Sequence, residues 1–257
     1  MTIKTPLLLR YLFLFVLIGI LNYSFAQRIS KDNKGLVLTV NFSLLSQISG
    51  GDLKNRYGNS SAPNISIDLM TEQGNWIIGG EFGYIFGRTV KEDPLRKIYN
   101  LPGKLYGTDF VATEVFLRER GLWTGGYIGK LFSTNQSNHR SGIRVTLGLG
   151  HLQHKIRLQD DTKSIVQLDQ PYIRGYDRLT GGWYISEFIG YQHLSKNRRV
   201  NLMIGFDFMQ GFTTSWRDWD WDLKSKNSSK RLDLLSGIRA SWSLPFYIGE
   251  PAEEIYY

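Results

Sequence analysis

"RLDLLSGIRASWSL", Arg231 to Leu244, is the stretch on which the fold turns. Leu232, Leu234, Ile238, Trp242 and Leu244 share one parity, and Arg231, Asp233, Arg239, Ser241 and Ser243 share the other. Side chains alternate faces along a strand, so this reads as a β-strand greasy on one side and charged or small on the other. A soluble barrel would turn the greasy side inward; a membrane barrel would turn it to lipid.

The same alternation recurs upstream. Leu36 to Leu44, Ile65 to Leu69, Trp76 to Phe86, Ile143 to Leu149 and Val200 to Phe208 each carry apolar residues at every second position. Gly182 to Leu194 reads as a strand with mixed faces. From Thr108 to Phe132 the odd positions Val111, Val115, Leu117, Trp123, Tyr127 and Leu131 stay apolar across "RERG", which otherwise looks like a turn. Unbroken parity predicts one long strand there. Counting it once gives eight strands whose connections alternate long and short, the rhythm of a transmembrane barrel. Splitting it gives nine, an odd number that single-chain bacterial barrels avoid, and ten is the alternative count. The fold expected is all-β: a closed antiparallel up-and-down transmembrane β-barrel.

Composition agrees. Of 257 residues, 14% are aromatic and 27 are Gly, against 7 Pro, which suits long, closely packed strands. With no Cys, disulfides, thiolate metal sites and a lipid-modified cysteine are excluded. The net charge of +8 is scattered, with no basic run interleaved with aromatics, so no nucleic-acid partner is expected.

Residues 1–26 read as a signal peptide. Lys4 and Arg10 open it, an apolar run follows from Tyr11 to Leu21, and Ser24-Phe25-Ala26 is a small-x-small cleavage site. A core of about 11 residues is short of the roughly 20 that a spanning helix needs. The mature chain, 27–257, is then the barrel domain, with a short periplasmic tail over about 246–257.

Three features place the apolar faces against lipid. They run about five positions, matching a band of roughly 25 Å on tilted strands. Trp76, Phe86, Tyr127, Tyr191 and Trp242 fall near strand ends, where an interfacial girdle would hold them. The opposite face carries Gly79, Gly83, Gly126, Gly148, Gly150, Gly205 and Gly237, making room for bulky charges. Asp68, Glu81, Glu114, Arg144, Asp207 and Arg239 would then meet inside as a charge cluster. Eight strands enclose an interior just filled by side chains, so this cluster reads chiefly as a plug.

Signals for chemistry are few. His151 and His154 lie three apart on a strand and face opposite ways, so no metal site is expected. Ser186 is separated by parity from Glu187 and His193. No cofactor is implied. Trp216, Trp219 and Trp221 in "SWRDWDWD" suggest either a contact loop for protein, glycan or lipopolysaccharide, or aromatics packed on neighbouring loops. Ile255, Tyr256 and Tyr257 close a tail that would either reach a partner or stay unstructured.

"RERGLWTGGYIGK" (Arg118–Lys130), "GLGHLQHKIRL" (Gly148–Leu158), "GYDRLTGG" (Gly175–Gly182), "FIGYQHLSKNRRVNLMIGFDFMQG" (Phe188–Gly211) and "LPFYIGEPAEEIYY" (Leu244–Tyr257) resemble uncharacterised outer-membrane β-barrel proteins of the Bacteroidota. Small barrels of that phylum include accessory parts of envelope machines, among them type IX secretion and gliding assemblies and barrel-assembly complexes. The resemblance implies such a role and transfers no catalytic residue. The expectation is therefore a non-enzymatic outer-membrane anchor or accessory subunit, in contact with lipid or lipopolysaccharide and with other envelope proteins. The alternatives are an integral-membrane enzyme, marked by a Ser or His beside a carboxylate at the rim, a small channel, marked by an open lumen, and a soluble periplasmic barrel that binds an apolar ligand.

Overall fold

The structure, a computed structural model, describes residues 35–134, 138–161, 164–195 and 200–248. Eight long strands form the wall: β1 (Leu36–Gly51), β2 (Ser60–Met70), β3 (Trp76–Gly87), β6 (Phe116–Ser133), β7 (Gly142–Gln159), β8 (Thr180–Leu194), β9 (Asn201–Ser215) and β10 (Arg231–Ile248). They close as a ring in the order β1-β10-β9-β8-β7-β6-β3-β2, every pair antiparallel. The seal is β1 on β10, from Leu36 opposite Ile248 to Gly51 opposite Asp233. Closure pairs the edge groups that lipid could not satisfy.

The quoted stretch faces as a membrane strand must. Leu232, Ile238 and Trp242 stand 42–51% exposed on the outer surface, while Asp233, Arg239, Ser241 and Ser243 are buried inside. β2, β3, β7 and β9 repeat the pattern, with Ile65 and Ile67, Ile78 and Phe82, Leu147 and Leu149, and Ile204 and Phe206 all exposed outward. An apolar belt with a polar interior is stable only in lipid.

Three expectations about elements need correction. The wall strand of the ambiguous region starts at Phe116, not Thr108. Upstream, β5 (Ala112–Glu114) pairs with β4 (Lys104–Tyr106) as a separate hairpin in the loops. Parity passed through both because each is extended, and alternation does not record which partner a strand has. "RERG" does lie within the wall strand. There Gly121 allows close approach, since a Cβ would meet the Gln153 carbonyl at 2.8 Å. Finally, the first long loop shrinks to 52–59, because β1 and β2 stay paired up to Gln47 and Ser60.

Connections 52–59, 88–115, 160–179 and 216–230 gather at one end, and 71–75, 134–141 and 195–200 at the other; 88–115, 160–179 and 216–230 are longer than any of the second set. In barrels of this type the long-loop end is the outer one.

The interior is layered. At the turn end Val37, Met70, Ile77, Tyr127 and Leu131 pack together. Arg140 clasps them from below, donating to Thr71 O and Asn75 Oδ1 at 2.7 Å each and to Gly35 O. A polar layer follows, then an apolar layer that includes Leu45, Trp123, Leu152 and Leu235 and continues into the loops through Leu95, Leu105 and Ile165. Tyr127 therefore belongs to the interior, 7% exposed, and not to the girdle. Gly126 faces outward, so it makes no room for the charges. Both misplacements follow from β6, whose inward side is itself aromatic.

Candidate functional site: the lumen and its outer cap

The polar layer gathers side chains from all eight wall strands. Asp68 of β2 pairs with Arg144 of β7. Its Oδ1 also accepts from Thr39 Oγ1 (2.6 Å) and Asn41 Nδ2 (3.0 Å). Arg144 donates further to Gln192 Oε1 at 2.9 Å and lies over the Tyr127 ring. Beside it Arg239 of β10 bridges Glu81 Oε2 (3.2 Å) and Asp207 Oδ2 (2.5 Å). Asn64 and the Tyr184 hydroxyl donate to Glu81 at 3.2 and 3.3 Å. Pairing and hydrogen bonding make such buried charges tolerable. The layer thus holds Asp68, Glu81, Arg144, Asp207 and Arg239, each no more than 6% exposed. Glu114 is the exception: it sits in the β4–β5 hairpin, exposed, far from the others in the fold. Its assignment rested on continuing the β6 parity two residues past where the strand begins.

Closer to the outer rim lies a cluster with no sequence signal. His154 Nε2 meets Asp233 Oδ2 at 2.9 Å, and the Tyr57 hydroxyl approaches His154 Nδ1 at 3.4 Å. Thr213 Oγ1 donates to Asp233 at 2.5 Å, and Arg231 pairs with its other oxygen at 3.3 Å. Glu119, also fully buried, is in the same region. A histidine held by a carboxylate is the arrangement a rim enzyme would need. Here both are at most 1% exposed, and the Thr213 hydroxyl donates to the carboxylate. What the pair visibly does is hold the Tyr57 loop against β7 and β10, the Tyr57 and His154 rings meeting edge to face at 5.5 Å.

Over this cluster the loops are tied by one arginine. Arg178, from the β7–β8 connection, bonds Glu92 Oε1 (2.7 Å), Asp220 Oδ1 (3.2 Å) and Asp222 Oδ2 (2.6 Å). Arg56 holds the other Glu92 oxygen at 2.7 Å and donates to Thr180 Oγ1 at 2.8 Å. All four long connections meet in this network. Burial favours the neutral Glu92 carboxyl, but Arg56 and Arg178 outweigh it and hold Glu92 below the usual carboxylate range. Burial also pushes Asp220 up; Arg178 opposes this and Asp222 reinforces it, leaving Asp220 raised.

The three tryptophans are each about half exposed. Trp216 stacks on His151 with ring centroids 5.1 Å apart, and the Trp221 backbone N–H donates to Gly175 O at 3.1 Å. Trp221 also borders a shallow apolar hollow of about 320 Å³ with Val166, Tyr172 and Tyr176. Ile255, Tyr256 and Tyr257, like the signal peptide, lie outside the described residues.

One polar pair breaks the lipid-facing belt. Gln210 Nε2 donates to both oxygens of Glu187 at 3.2 and 3.3 Å. Glu187 sits opposite Leu147 and Phe208, with Ile185 and Ile189 on either side, all exposed to lipid.

Closed ring, lipid-facing belt and filled lumen define an eight-stranded outer-membrane β-barrel. Similar solved structures include Neisserial surface protein A, at 11% identity and a TM-score of 0.41, covering 81% of this chain and 97% of that one. Another is Ail, the attachment invasion locus protein of Yersinia pestis, at 9% identity and 0.41, covering 82% and 99%. Ail in complex with the heparin analogue sucrose octasulfate matches at 12% and 0.37, covering 82% and 99%. No family model and no curated protein matches the sequence.

Proposed function

We propose that the protein is a non-enzymatic membrane anchor or accessory subunit of an envelope complex, with a second membrane-embedded protein docked on its β8–β9 wall. The Glu187–Gln210 pair carries this reading. An ionisable group facing hydrocarbon is costly and marks a functional contact by default. Among the described residues its one hydrogen-bond partner is an amide on the neighbouring strand, and a carboxylate has further lone pairs for a donor on another chain. The filled lumen supports an anchor over a channel. The exposed loop aromatics Phe110, Tyr172 and Trp219 supply further contact surface outside the membrane.

The experiment is photo-crosslinking from position 189, beside Glu187 on the lipid-facing side of β8, in native membranes, with affinity capture and mass spectrometry. Wild type is expected to capture a defined envelope protein, and the folded E187L/Q210L variant to lose it. A barrel that comes down alone, or a variant with unchanged partners, would remove the reading.

The His154–Asp233 pair favours a second reading, an integral-membrane enzyme acting on lipid or peptide. Phospholipid or peptide hydrolysis by purified protein, abolished in His154→Ala while the barrel still folds, would put that reading first.

A further inference from the structure

On their lipid-facing parity, the outer ends of β6 and β7 carry four cations: Arg118, Arg120, Lys155 and Arg157. They are cross-strand neighbours, Arg118 opposite Arg157 and Arg120 opposite Lys155. Like charges directly opposite on paired strands are destabilising, and here two such pairs lie side by side. Among the described residues the ion pairs of the outer region go to Arg56, Arg178, Arg217, Lys226 and Arg231, none of these four. Arg120 lies 5.1 Å over the Phe86 ring and Arg118 5.7 Å over Phe116, both outward-facing aromatics.

Position identifies the missing counter-charge. Lower on the same faces are Ile128, Leu147 and Leu149, fully in the belt. Between that belt and the cations the outward positions include Leu122 on β6 and the polar His151 and Gln153 on β7, so the cations stand on the headgroup side of the hydrocarbon. Behind them a cleft of about 460 Å³ opens between β7 and the 160–179 loop. It is lined by Lys155, Arg157 and the exposed Arg174, with Asp177 already held by Arg217 at 2.5 Å.

We propose that this wall is a binding site for phosphate groups borne on lipid of the surrounding outer leaflet, gripped by Arg118, Arg120, Lys155 and Arg157. Guanidinium forks match phosphate oxygens in pairs, and basic clusters at headgroup depth recognise anionic lipids. The acyl chains of the same lipid would lie on the belt beneath, an advantage no free anion has. This site is separate from the proposed protein contact at Glu187.

The test uses the full-length protein in phosphatidylcholine nanodiscs doped with bisphosphorylated lipid A or with its dephosphorylated form, followed by native mass spectrometry. Wild type should retain the phosphorylated lipid. The R118Q/R120Q/K155Q/R157Q variant should retain about tenfold less. K226Q/K230Q, remote on the β9–β10 loop, should match wild type, and millimolar inorganic phosphate should displace nothing. Heat-modifiable migration reports folding, and if the fourfold variant does not fold, K155Q/R157Q at the two exposed positions should still show about a threefold loss. Equal retention by wild type and variant, equal retention of the dephosphorylated lipid, an equal loss in K226Q/K230Q, or displacement by inorganic phosphate would each overturn the assignment.

Discussion

Ile238 and Arg239 are adjacent in the chain and live in different solvents. Ile238 is 51% exposed on the belt, whereas Arg239 is buried between Glu81 and Asp207. Arg239→Met would strand two buried carboxylates, at a cost of about 3–5 kcal/mol. The triple variant E81Q/D207N/R239M should recover most of that, because amides and a thioether carry no charge to bury. Urea unfolding midpoints in lipid vesicles check both, and a triple variant no better than the single would show that the charges are not a unit. Ile238→Arg sets a cation against lipid instead, and about 2–4 kcal/mol is expected in the same assay. A cost near zero would mean that this face does not touch hydrocarbon.

β3 and β6 pack closely because Gly83 lies directly opposite a large aromatic on the paired strand. A Cβ on Gly83 would fall 2.1 Å from the Trp123 ring, itself fully buried. Gly83→Val should therefore lower the temperature of the heat-modifiable transition sharply, and Trp123→Leu in the same chain should restore part of it. The cap formed by the long connections responds to pH through its carboxylates. Glu92 is held below its ordinary value, so its contribution is complete above about pH 4.3 and disappears as pH falls through its lowered folded value. Asp220 is raised, so its ionisation works against the cap and acidification relieves that part. Hydrogen exchange over 52–57 and 88–93 should lose protection only in the acid window. In Glu92→Gln it should be weaker at neutral pH and flat through that window. The cap could not be read beforehand: Arg56, Glu92, Arg178 and Asp220 lie in four different connections, and nothing local in any of them announces a partner.

The whole barrel is stoppered. Apolar layers stand at the turn end and beneath the loops, with the paired charges between them. Planar-bilayer recordings should show no unitary conductance. Deleting the β4–β5 hairpin should not create one, since Arg144 and Arg239 still fill the middle. Discrete openings in the wild-type protein would return the channel to consideration. Much of this architecture was legible in advance: the strand count, the long–short rhythm, and the inward placement of Asp68, Glu81, Arg144, Asp207 and Arg239. Glu114 was misplaced because the wall strand begins only at Phe116, and Tyr127 and Gly126 for one other reason. On β6 the inward face carries Trp123, Tyr127 and Leu131, so hydrophobicity did not mark the lipid side.

Period-two alternation determined by itself that the chain makes strands and that each has two unlike faces, because side-chain direction along a strand is a local property of the backbone. Which face met lipid, which arginine met which carboxylate, how His154 came to Asp233, and where four like charges were left side by side were decided only by the closed sheet. Those contacts join residues as much as 158 positions apart, as for Arg239 and Glu81. Register and curvature create them, and neither is written in any one segment.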